Sequence, residues 1–115
     1  MFIAAAIVSV LLALVLVFSA VGKLTKNPQQ VESMTSVGFP VDKMWLLALA
    51  ELAGAVGLIA GLFWWPIGLA AAIGVVAYFL GAVLMHLRAN DKTIAPAGVL
   101  MLVAVVAAIL VPVAA

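Results

Sequence analysis

The chain has 115 residues, of which 70% are hydrophobic and only 8% charged, and its formal net charge is +1. Such a composition excludes a water-soluble domain, and so small a charge excludes the broad basic face that nucleic acid requires. No cysteine is present, which removes disulfides, thiolate metal sites and thiol redox chemistry from the chain's own repertoire. With a mean hydropathy of +1.46, the sequence reads as an integral membrane protein, a single domain over 1–115 whose chemistry must occur in or at the bilayer.

Residues 1–22 form an almost unbroken apolar run, long enough at about 1.5 Å per residue to cross a hydrocarbon core of roughly 30 Å. Without a basic n-region and a short apolar stretch it does not read as a signal peptide, so it is expected to be retained as a span. Between Lys23 and Lys43 the chain turns polar. Asn27, Pro28 and Gln30 have the pattern of a helix N-cap with a reciprocal partner, and Gly38 with Pro40 reads as a stop. A short interfacial helix is therefore predicted over Pro28 to Val37, with Val31, Met34 and Val37 as its apolar face toward lipid or the bundle. Asp42 is placed to cap the second span, 44–64.

Trp64, Trp65 and Pro66 predict a tight turn with its indoles at headgroup level, and Pro66 suits the first turn of a third span, 66–87. A fourth span follows over 95–111, with Pro96 in its first turn and Pro112 near its end. Short connections make consecutive helices antiparallel neighbours. The predicted fold is all-α: a four-helix up-down membrane bundle with a short interfacial helix between spans one and two. The basic residues fall in two segments, Lys23, Lys26 and Lys43 before span two and Arg88 and Lys92 after span three. By the positive-inside rule both segments face the cytoplasm of a plasma (inner) membrane, and both termini lie outside.

Glu51 is the residue that this frame leaves unexplained. It lies seven residues past Met44, about 10 Å below the helix end, where an ionised carboxylate needs a partner, a proton or a water-filled cavity. Ser19 and Lys23, spaced i and i+4, approach the same level from span one, and Tyr78 and His86 from span three. The long stem of Lys23 can bring its ammonium to Glu51, and Ser19 can donate a further bond. These five are the candidate ligand-binding residues. Simpler roles stand beside that one: Lys23 and His86 as snorkelling end residues, Ser19 bonded one turn back, Tyr78 as filler, and Glu51 as a pin that fixes helix register. Gly54, Gly57 and Gly61 on span two and Gly74 and Gly81 on span three are candidate helix-packing positions, Gly57 and Gly61 in a G-x-x-x-G relation.

The sequence resembles the DoxX-like family of small four-helix membrane proteins, through "FSAVGKL" at the end of span one, "GFP" before span two and "AELAGAVGLIAGLF" within it. The resemblance covers almost the whole chain and points to Ser19, Gly22, Lys23, Gly38, Pro40, Glu51, Gly54 and Gly61. It departs from the family's habit in lacking basic residues before the first helix. Some relatives are associated with quinone-linked sulfur oxidation and with responses to thiol or oxidative stress, so the resemblance implies an accessory subunit of a membrane oxidoreductase system. A lone histidine cannot provide a bis-histidine haem site and there is no cysteine for an iron–sulfur cluster, so no metal site is expected. The expected cofactor is none intrinsic, only a dissociable quinone or a lipid held near Glu51; the expected partners are membrane lipids with a larger membrane complex or a second copy of the chain. Two other readings remain: an enzyme acting on a lipophilic substrate, with Glu51 exchanging a proton and His86 assisting, and a structural subunit docking through glycine-faced helices.

Overall fold

The computed structural model describes residues 1–89 and 95–115; residues 90–94, with Lys92 of the last predicted loop, lie outside the described residues. The described residues form five α-helices, α1 (Phe2–Leu24), α2 (Pro28–Ser36), α3 (Met44–Ala60), α4 (Trp65–Arg88) and α5 (Ala95–Val113), with one 3-10 turn, Val41–Lys43, leading into α3. Among the described residues there is no strand. Four of the helical segments are long and apolar enough to cross a membrane. They close a ring in which α1 packs on α3, α3 on α4, α4 on α5 and α5 back on α1. That ring is the up-down bundle expected from the short connections.

In lipid the apolar side chains gain little by clustering, so close packing rather than water exclusion must hold the helices together. The core accordingly runs on alanines: Ala20, Ala48, Ala72, Ala104 and Ala107 are wholly buried. Bulky residues such as Phe18 and Phe63, 83% and 89% exposed, face outward. The buried stripe of α1 is Ala5, Ser9, Leu12, Ala13, Leu16, Ala20 and Lys23, and that of α3 is Met44, Ala48, Glu51, Ala55 and Leu58. Both follow the i+3/i+4 spacing of a single helix face. Lys23 and Glu51 are thus members of the two packed stripes.

Local chemistry explains where the helices stop. Lys26, at φ 54°, turns the chain out of α1, and the Asn27 side chain then accepts from the Gln29 amide at 3.0 Å to open α2. At the other end Gly38 adopts φ +75° and the Phe39 amide donates to the Met34 carbonyl at 2.9 Å, a Schellman closure that requires the left-handed residue. Two capping expectations are corrected. Gln30 does not complete a reciprocal box; it lies over Gly22, where an added Cβ would stand 3.4 Å from its Cγ. Asp42 does not cap α3, because the 3-10 turn runs straight into the helix and the Val41 carbonyl already accepts from the Met44 amide.

Helix α3 ends at Ala60, four residues short of the predicted boundary. Its last turn tightens through Leu62 N–H to the Ile59 carbonyl and Phe63 N–H to the Ala60 carbonyl, both 3.0 Å, and Trp64 then extends to start α4. The turn brings the two helices together at Gly61 and Gly68. A Cβ on Gly61 would lie 2.7 Å from the Gly68 nitrogen and closer still to its Cα, and one on Gly57 would lie 2.7 Å from the Ala71 Cβ. Gly54 likewise faces Val75 Cγ2, at 2.9 Å. Gly74 and Gly81 take no part in such contacts: a Cβ at either meets nothing within 4 Å. Their place in the packing set is therefore corrected, and the space they leave open belongs to two cavities.

Candidate ligand site

At the end of the bundle that carries Lys23 and His86 the four long helices part around a cavity of about 540 Å³. That volume lies within the usual range for small-molecule sites. Its walls come from α1, α3, α4 and α5, with Phe79 and Leu100 among its apolar residues, and α2 roofs it through Gln30, Ser33, Met34 and Val37. Gly81 and Ala82 leave the α4 wall without bulk. The polar groups are few: Ser19, Lys23, Tyr78 and His86 line the cavity beside the polar residues of α2.

The Lys23 Nζ stands 2.9 Å from Glu51 Oε1 and donates to Ser19 Oγ at 2.8 Å. Both charged side chains are almost fully buried, 6% and 1% exposed. Ser19 therefore receives a bond from Lys23 rather than donating one to the carboxylate as expected. The reason is geometric: at i and i+4 the hydroxyl lies directly beneath the lysine stem, and an ammonium can only donate. Lys23 does not reach out to water but turns inward along its own buried stripe.

Tyr78 faces the same carboxylate closely enough to interact with its charge. Its ring is fixed edge-on against Phe79, with centroids 5.1 Å apart at 88°. The Tyr78 phenol is turned to that carboxylate as a hydrogen-bond donor, Oε1 is held by the ion pair with Lys23, and both oxygens are sealed from solvent. Glu51 does not line the large cavity. It lines a separate cleft of about 370 Å³ between α3 and α4, with Tyr78 shared by the two. The five residues singled out from the sequence are thus brought to one region, four of them on the cavity wall and Glu51 behind it.

The roof was not foreseen. Gln30, Ser33, Met34 and Val37 follow the i, i+3, i+4, i+7 spacing of a helix face, but apolar residues alone pointed to Val31, Met34 and Val37. The combined polar and apolar spacing carries that signal. Among the described residues no group of three or more His, Asp or Glu side chains is arranged to hold a metal ion.

A ring of four apolar helices, roofed at one end and enclosing a small polar cluster, defines a small multi-pass membrane protein with an internal cavity. Residues 7–111 match the sequence pattern of the DoxX-like family, and the chain belongs to it. No protein of curated function and no solved structure matches the chain.

Proposed function

We propose that this protein is a small-molecule-binding subunit of the plasma (inner) membrane, oriented with its basic end and α2 toward the cytoplasm and its termini outside, that holds a lipophilic molecule in the roofed cavity. The cavity is the observation that carries the reading: about 540 Å³, mostly apolar, with Ser19, Lys23, Tyr78 and His86 placed to meet one polar head. A quinone fits this chemistry, since its ring suits the apolar wall and its carbonyls accept from ammonium and phenol donors. With no cysteine and one histidine in the chain, electrons would pass through such a dissociable carrier and a partner oxidoreductase. This makes the protein an accessory subunit of a membrane redox system.

One observation favours the structural reading as well. The Lys23–Glu51 pair joins the buried stripes of α1 and α3 and so fixes their register. The two roles are compatible, because the pair bounds the cavity without filling it.

The test is extraction of co-purified lipophiles from protein held in native-membrane nanodiscs, for wild type and Gly81→Leu. Leucine at position 81 meets no neighbour within 4 Å of its Cβ and projects into the cavity. A non-phospholipid species enriched in the wild type and depleted in Gly81→Leu is the expected outcome. Extracts that simply mirror the surrounding membrane in both would overturn the reading.

A further inference from the structure

The underside of α2 carries two polar side chains that the fold itself does not use. Gln30 and Ser33, one turn apart on a single face, are half-buried and line the roofed cavity. Among the described residues the Gln30 amide makes no side-chain hydrogen bond, and the bonds at Ser33 run to its carbonyl oxygen, from the Val37 N–H at 3.3 Å and the Ser36 hydroxyl at 2.8 Å. Packing holds Gln30 in place instead. Its stem lies over Gly22, where a Cβ would stand 3.4 Å from both Cγ and Nε2. A glycine inside a helix is destabilising relative to alanine, and here the bare backbone lets Gln30 lie close against α1 at the residue next to Lys23. Lys23 itself is already shared between Glu51 and Ser19.

We propose that Gln30, with Ser33 beside it, selects the head of the bound lipophile, and that this head is neutral and donates as well as accepts: a hydroxyl set beside a second oxygen. The inference rests on the roofed cavity being the ligand site and adds which ligands it takes. A carboxamide presents one acceptor oxygen and two N–H donors in a single plane, and a serine hydroxyl serves as either. A head that only accepts, such as a ketone or an ether, leaves the Gln30 oxygen without a donor under the roof, and a site with polar groups left unpaired rejects such an analogue. A charged head gains little from Lys23, whose charge Glu51 balances, and loses its own hydration on entry. For a redox carrier the same rule selects the hydroxyl-bearing quinol over its quinone. With the head under α2, the apolar part of the molecule lies along Phe79 and Leu100 on the walls of the same cavity.

4-Nonylcatechol carries two adjacent hydroxyls, whereas its dimethyl ether keeps both oxygens and donates nothing. Native mass spectrometry of the purified protein in micelles counts the molecules bound as each probe is titrated. Wild type is expected to bind the catechol about tenfold more tightly than the ether, because each neutral hydrogen bond gains modestly over the one it replaces in water. Gln30→Met keeps the length and helix preference of the side chain and is expected to bring the two probes within about twofold while ether binding stays as in wild type. Gln30→Leu, made beside it, keeps this arm decisive if the first variant does not fold. Gly81→Leu loses both probes. Equal binding of catechol and ether by wild type overturns the proposal, as does a catechol preference that survives in Gln30→Met or Gln30→Leu. Binding of both probes that Gly81→Leu leaves intact overturns the roofed cavity as the site and this inference with it, an outcome distinct from loss of the preference alone.

Discussion

Replacing Lys23 with Met strands the Glu51 carboxylate. In the wild type both members of the pair are almost completely enclosed and 2.9 Å apart, far from the exposed case in which an ion pair contributes about 0–1 kcal/mol. Removing one partner of a buried pair costs about 3–5 kcal/mol, and Lys23→Met belongs in that range because it takes away the ammonium paired with Glu51. Glu51→Gln is milder. The amide oxygen still accepts from the ammonium, and Ser19 still bonds it at 2.8 Å, so about 1–2 kcal/mol is lost. The double variant places two neutral side chains where two charges stood and recovers much of the larger loss, giving a coupling of about 2–3 kcal/mol. The assay is equilibrium unfolding in mixed micelles for wild type, both single variants and the double, with helicity as the signal. A coupling below about 0.5 kcal/mol, the ordinary error of additivity, would show that the two residues do not act as a unit.

Two further outcomes follow from the packing and the charge distribution. Gly61→Ala forces a methyl group against the Gly68 backbone, which cannot rotate aside, and is expected to destabilise the bundle by about 1–3 kcal/mol in the same unfolding assay, whereas Gly81→Ala is neutral. Equal stability of the two variants would place the α3–α4 contact elsewhere. Lys26→Cys is expected to react with a membrane-impermeant maleimide only from the cytoplasm and Trp65→Cys only from outside; the reverse labelling would invert the proposed orientation.

The spans could be read from the sequence because lipid demands long apolar helices and little else in this chain resembles them. Asn27 and Gly38 marked the ends of α2 for an equally direct reason, one a side-chain acceptor and the other a residue tolerant of positive φ. Glu51 announced itself by being charged at depth, and Lys23 by its reach. What could not be read was which gap each residue bordered. Glycine spacing does not separate Gly57 and Gly61, pressed against α4, from Gly74 and Gly81, which border empty space, because the difference depends on which way each residue faces once the helices are packed. The early end of α3 was hidden for a similar reason: Leu62 and Phe63 are as apolar as any span residue, and composition does not show where the chain turns back to bring Gly61 against Gly68.

That contact also sets a mechanical ratio. Helices α3 and α4 meet backbone to backbone near Gly61 and Gly68, like the arms of tongs joined at one end, and beyond Gly54 and Val75 a cleft bordered by Ala50 and Gly74 lies between them. From the joint to the far end of its 17 residues α3 is a lever of about 26 Å, with Glu51 roughly 15 Å along it. A swing of about 5° moves the carboxylate by roughly 1 Å and the Met44 end by roughly 2 Å, displacements typical of helix shifts. Because α2 is tied to α3 through the turn at Val41–Lys43, the same swing tugs on the roof. Spreading the tongs from the lipid side would therefore be felt at the opposite, aqueous face of the cavity, through a joint that contains no side chain at all.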